Sequence, residues 1–158
     1  MKWKTHQVVT LATAFLVTKS AVNVCFAFLG STFPDVIERN SGQEITFKNH
    51  RQLSHWFVIY TGFGLAVWIF SHYLEPHQSE LSTLIEALYY FIYGCINHLF
   101  LDALNGSIPG INPKNHKKRW GKNIIKKDLF EFVFLLSFVL LSCIIYKLKR
   151  YNILYYLV

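Results

Sequence analysis

Residues 84–104 read LIEALYYFIYGCINHLFLDAL. The run is as long as a bilayer span, which needs about 20 mainly apolar residues in a helix. It shows no period-two alternation, so a half-buried strand is excluded. His98 and Asp102 break its apolar character, and their i, i+4 spacing puts them on one helical face. Imidazole and carboxylate are two of the ligand types that hold zinc. An ionisable pair is costly inside such a run and marks a functional site by default. A plainer reading is a buried histidine–carboxylate hydrogen bond that ties a bundle together, and the run by itself leaves both open. The expectation is an all-α, membrane-embedded bundle with a polar centre.

Three further apolar segments flank this one, over residues 7–29, 56–74 and 129–146, giving about four apolar helices in one domain spanning 1–158. The chain is 53% hydrophobic, with a mean hydropathy of +0.28. Lysine and arginine number 16 against 9 acids, a net charge of +7. With so apolar a background, that excess points to membrane topology and anionic lipid headgroups and away from nucleic acid. Cys25, Cys95 and Cys143 each lie in an apolar run without a CxxC, and read as small hydrophobes. Lys2 and Lys4 precede an apolar stretch, but Lys19 and Asn23 interrupt it and no small-x-small cleavage site follows, so the N-terminus is expected in the mature protein.

The loops orient the chain. Between the third and fourth segments lie Lys114, Lys117, Lys118, Arg119, Lys122, Lys126 and Lys127, whereas residues 75–83 hold no lysine or arginine. The positive-inside rule then places the loops 30–54 and 105–127 in the cytoplasm. His55 begins the second span and Asp102 ends the third, so antiparallel spans bring them to one membrane face, which Asp35 and His50 share. His6 joins them only if the first segment does not cross. Its lower hydrophobicity and Lys19 favour an interfacial helix. Lys147, Lys149 and Arg150, after the fourth segment, run against the charge rule.

The ordered set His6, Pro34-Asp35, His50-Arg51-Gln52-Leu53-Ser54-His55 and Gly94 to Asp102 resembles the YdjM-like family. Its members are inner-membrane-associated, membrane-bound metal-dependent hydrolases, some described as LexA-binding. The match runs from His6 to about Pro113. More distantly the arrangement resembles the zinc-dependent phospholipases C. The resemblance implies a multi-pass protein of a bacterial-type inner membrane and a metal set of His6, Asp35, His50, His55, His98 and Asp102. It also implies hydrolysis of a phosphoester, with a membrane lipid as one candidate substrate. The His/Asp mixture suits Zn²⁺, with Mn²⁺ and Fe²⁺ as alternatives. Arg51 could clamp a phosphate, or snorkel at the surface; Glu38 is the acid nearest Asp35 and the candidate general base.

The sequence departs from the family where many relatives read Pro-Asp-x-Asp-His, because Ile37 and Glu38 occupy the last two positions. That departure supports a second expectation, a non-catalytic membrane adaptor with a structural or vestigial metal, recruiting a protein partner through residues 114–127. Glu86 and Glu131 open helices, where acids suit the dipole. His72, His77 and His116 are assigned to solvent or interface. A transporter is disfavoured because the polar residues gather at one face.

Overall fold

The computed structural model describes residues 3–40, 53–73, 79–106, 108–113, 119–121 and 128–150. Five α-helices account for most of them: α1 (Trp3–Val17), α2 (Ala21–Asn40), α3 (Phe57–Tyr73), α4 (Ser79–Asn105) and α5 (Asp128–Arg150). A single 3-10 turn, Leu53–His55, precedes α3. The all-α expectation holds, with one small exception. Ile108–Pro109 (β1) and Arg119–Trp120 (β2) pair antiparallel in a two-residue ribbon.

The segment 7–29 is not one helix. It breaks at residues 18–20, and the polar side chains there explain why. Thr18 Oγ1 accepts the Ser20 N–H at 3.1 Å and the Asn23 side-chain amide at 3.2 Å, while Ser20 Oγ accepts the Asn23 N–H at 3.4 Å. Ser20 thus caps the start of α2, satisfying a donor that the first helical turn leaves orphaned. The second correction concerns residues 30–40, expected in a loop. They continue α2, with Pro34 inside the helix.

α4 is the axis of the bundle. Its buried stripe of Ile85, Ile92, Cys95, Leu99 and Asp102 recurs at spacings of seven, three, four and three residues, one face of a helix. α3 packs antiparallel against it, with Tyr60 beside Cys95 and Leu99 at one end, and Val67 beside Ile85 and Ile92 further along. α1 is antiparallel too, since Asn97 donates to Thr10 Oγ1 at 2.9 Å and His6 reaches Asp102. α2 runs parallel to α4 and very close, because two glycines face the partner backbone. A Cβ on Gly94 would lie 2.8 Å from the Ser31 nitrogen, and one on Gly30 would lie 2.9 Å from the Phe91 carbonyl carbon. Small residues at a helix crossing let backbones approach in this way.

α5 runs along α1, joined by a hydrogen bond from Thr5 to Glu131 at one end and by Phe15 against Tyr146 at the other. Glu131, expected to serve only the helix start, therefore also ties two helices together. The opposite face of α5 is bare. Phe132, Leu136, Leu140, Leu141 and Ile144 are exposed, as are Leu65, Trp68, Ile69 and Phe70 on α3. An apolar surface of this extent marks an interaction with a membrane or partner. Two helical stretches, Glu80–Asn105 and Glu131–Leu148, are long and apolar enough to cross a bilayer. α3, expected to be a third, is a shorter apolar helix of 17 residues.

The hairpin of α1 and α2 settles where the ends lie. The start of α1, the end of α2, the start of α3, the end of α4 and the start of α5 share one end of the bundle. The ribbon lies there as well. Trp120 stacks on Phe57 at 4.9 Å, and Trp56 donates to the Ile111 carbonyl at 3.0 Å.

Candidate metal centre

Four side chains from three elements meet at that end: Asp35 on α2, His55 on the 3-10 turn, and His98 and Asp102 on α4. His55, His98 and Asp102 are at most 1% exposed, whereas the Asp35 side chain is 17% exposed. One ligand-type atom of each lies within 4.8 Å of those of the other three. His55 Nε2 is 3.2 Å from Asp35 Oδ1 and 3.2 Å from Asp102 Oδ2. His98 Nε2 is 3.5 Å from each of the same oxygens. The two Nε2 atoms are 3.3 Å apart.

Five of the six separations among the four donors suit a tetrahedral ion, and the sixth, between the two carboxylates, is within 4.8 Å. Four ligands at the zinc–nitrogen and zinc–oxygen distances of about 2.0–2.1 Å stand about 3.3–3.4 Å from one another. The five distances above fall between 3.2 and 3.5 Å. A protonated His98 donating to the two carboxylates would also bring these atoms together, whereas a neutral ring would not. His98 Nδ1 lies 2.7 Å from the Ser31 carbonyl oxygen, which can only accept, so Nδ1 carries the proton. In a neutral ring Nε2 is then a bare lone pair, aimed at two carboxylate oxygens and a second imidazole nitrogen. That convergence of electron density in a buried site calls for positive charge, which a proton on His98 or a divalent ion balancing both carboxylates would supply.

The surrounding groups hold this geometry. The Ser31 carbonyl sets the tautomer and plane of His98, as backbone oxygens commonly do for metal-ligating histidines. Ser54 Oγ is 2.9 Å from His55 Nδ1, and the Tyr60 hydroxyl donates to the Ser54 carbonyl at 2.6 Å, pinning the turn that presents His55. Ser54 stands in the segment 50–55 singled out in the sequence, but Ser31 and Tyr60 carried no signal there. Their part is played by backbone carbonyls, or by a side chain six residues from its partner, which no spacing rule reveals.

His6 stands beside the four rather than among them. Its Nε2 meets the other Asp102 oxygen, Oδ1, at 3.2 Å, and its ring stacks on His98 with centroids 4.1 Å apart. Glu38 is half-buried on α2, three residues beyond Asp35. His50 and Arg51 lie outside the described residues, as do His77 and His116. His72 is exposed and stacks on Trp68.

No curated protein and no solved structure matches the chain. The model of the family described as YdjM inner membrane protein matches residues 1–158, the full sequence. An apolar exterior, two helices able to span a bilayer and a buried His/Asp cluster at one end agree with that match, and the chain belongs to the YdjM inner membrane protein family.

Proposed function

We propose that the chain is a multi-pass, membrane-bound, metal-dependent hydrolase acting on a phosphoester, a lipid headgroup above all, at the cytoplasmic face. The observation that carries the reading is the close meeting of Asp35, His55, His98 and Asp102, with His98 Nε2 turned inward by the Ser31 carbonyl. These four would hold the ion, most simply Zn²⁺. Bound there, it would supply Lewis acidity toward a phosphoryl oxygen and lower the pKa of water to about 7. Asp35 is the donor nearest solvent and marks the side from which substrate would enter. Glu38 follows it on α2, placed to take a proton, and Arg51 is the candidate phosphate clamp. The basic residues between α4 and α5 favour the cytoplasmic side for this end and suit anionic lipid.

A second reading has its own support. Three of the four donors are at most 1% exposed, and closed sites are the structural kind. Together with Ile37 and Glu38 in place of the acid and histidine of many relatives, this favours an adaptor that keeps the metal for stability and recruits a protein through residues 114–127. Hydrolysis of bis(p-nitrophenyl) phosphate by the detergent-purified, zinc-loaded protein separates the two. Turnover that disappears in His98→Ala supports the hydrolase. Stoichiometric metal without turnover of this or a phospholipid substrate overturns it in favour of the adaptor.

A further inference from the structure

We propose that His6 is a positioning residue for the metal centre, acting through Asp102 and not as a ligand of the ion; the inference rests on the metal reading above. Asp102 presents its two oxygens to different partners. Oδ2 faces His55 and His98, while Oδ1 faces His6 Nε2 at 3.2 Å. A carboxylate only accepts, so the proton of that contact belongs to His6 Nε2. That nitrogen meets a different Asp102 oxygen from the one facing His55 and His98, and it lies outside the four-donor group. His6 Nδ1, the remaining ring nitrogen, is buried without a hydrogen-bond partner among the described residues, and no other ligand-type group is grouped with it there.

The cost of this arrangement indicates its purpose. A fully buried imidazole with one unsatisfied nitrogen is worse for the fold than an apolar ring of the same size. Phenylalanine would fill the place beside Thr5, Val9 and His98 and keep the ring stack. What it lacks is the N–H. Donation to Oδ1 fixes the carboxylate plane and so aims Oδ2 at the centre, the role that outer partners play for metal-ligating groups, where their loss costs 10–100-fold in affinity or activity. α1 thereby becomes part of the centre without contributing a ligand to it, and the start of the chain is coupled to metal occupancy.

The test compares His6→Phe, which keeps the ring and loses the donor, with His6→Gln, which loses the ring and keeps an N–H near the Nε2 position. Apo protein in detergent is titrated with Zn²⁺ against a chromophoric chelator, and with Co²⁺ to read coordination from its visible spectrum. Expected are a roughly 10–100-fold weaker affinity for His6→Phe, an affinity within a few-fold of wild type for His6→Gln, unchanged stoichiometry, and a Co²⁺ spectrum of the same type in all three. Apo His6→Phe should melt no lower than wild type. Equal affinity of His6→Phe and wild type overturns the proposal, as does equal damage in both variants. A Co²⁺ spectrum in His6→Phe that reports a lost ligand would make His6 a ligand instead. A folded wild-type chain that binds no metal overturns the centre and this role together.

Discussion

Replacing Gly94 by alanine tests how tightly the metal centre depends on the crossing of α2 and α4. The new Cβ would meet the Ser31 nitrogen at 2.8 Å and the Ala27 carbonyl carbon at 3.0 Å, and the Ala27 oxygen more closely still. Ordinary contact begins near 3.4 Å, so the helices must part by at least about 0.6 Å, because a packed interior has no slack to absorb the methyl. Ser31 and Asp35 ride on α2, while His98 and Asp102 ride on α4. Parting therefore stretches the 2.7 Å contact of His98 Nδ1 with the Ser31 carbonyl and the 3.5 Å separation of Asp35 from His98. Ligand constellations must be held within about 0.5 Å of the productive geometry. Overpacking of this kind costs about 1–3 kcal/mol. If binding must close the gap again, the same energy appears as an affinity loss of about five- to 140-fold. The assay is competitive Zn²⁺ titration in detergent with thermal melts of the apo protein, and Gly62→Ala on α3 is the control. Nothing lies within 4 Å of a Cβ at Gly62, so that variant should bind metal normally and gain up to about 1 kcal/mol of helix propensity. Wild-type affinity in Gly94→Ala would refute the link between the glycine crossing and the centre.

Other outcomes follow from the same geometry. Asp102→Asn halves the carboxylate charge facing His55 and His98 and should weaken Zn²⁺ binding at least about tenfold; equal affinity by the same titration would remove Asp102 from the ligand set. Tyr60→Phe removes the hydroxyl that donates to the Ser54 carbonyl. It should lower apo stability by about 0.5–1.5 kcal/mol in a denaturation series, with a few-fold loss of metal affinity as the His55 turn loosens; no change in either would show that the hydrogen bond is dispensable. Single cysteines at Lys4 and Lys118 should label from the same side of the membrane, and those at Lys19 and Lys147 from the other. Labelling of Lys4 and Lys118 from opposite sides would contradict the hairpin.

Much of the fold was legible because long apolar runs leave few alternatives. The runs at 84–104 and 129–146 are α4 and α5 to within a few residues. Residues 7–29 misled for a physical reason. Their mean apolarity hides a break set by three polar side chains, Thr18, Ser20 and Asn23, whose hydrogen bonds tie the turn and cap the start of α2. That break, rather than the interfacial first segment expected from the sequence, is what brings His6 to the same end as Asp35. The meeting of His98 with Asp102 could be read from i, i+4 spacing, and that of His55 with both from antiparallel packing. Asp35 was harder. Residues 30–40 contain a proline and charged groups and read as a loop, yet they extend α2 parallel to α4. Gly94 stands in a segment that carries the family resemblance, but that it and Gly30 allow this approach is not legible there, because close backbone contact is a property of the pair and not of either residue. The ribbon of Ile108–Pro109 with Arg119–Trp120 escaped notice because two-residue strands have no period to detect.

The most direct test is the metal content of the folded chain. Protein purified in detergent without chelator, and again after stripping and reloading with Zn²⁺, is measured by elemental analysis beside His98→Ala. Four donors around one point should retain about one ion per wild-type chain, and His98→Ala should retain far less while keeping its helix content by circular dichroism. A helical wild-type chain that neither carries nor takes up metal, or a His98→Ala variant that holds as much as wild type, would contradict the assignment of Asp35, His55, His98 and Asp102 as a metal centre.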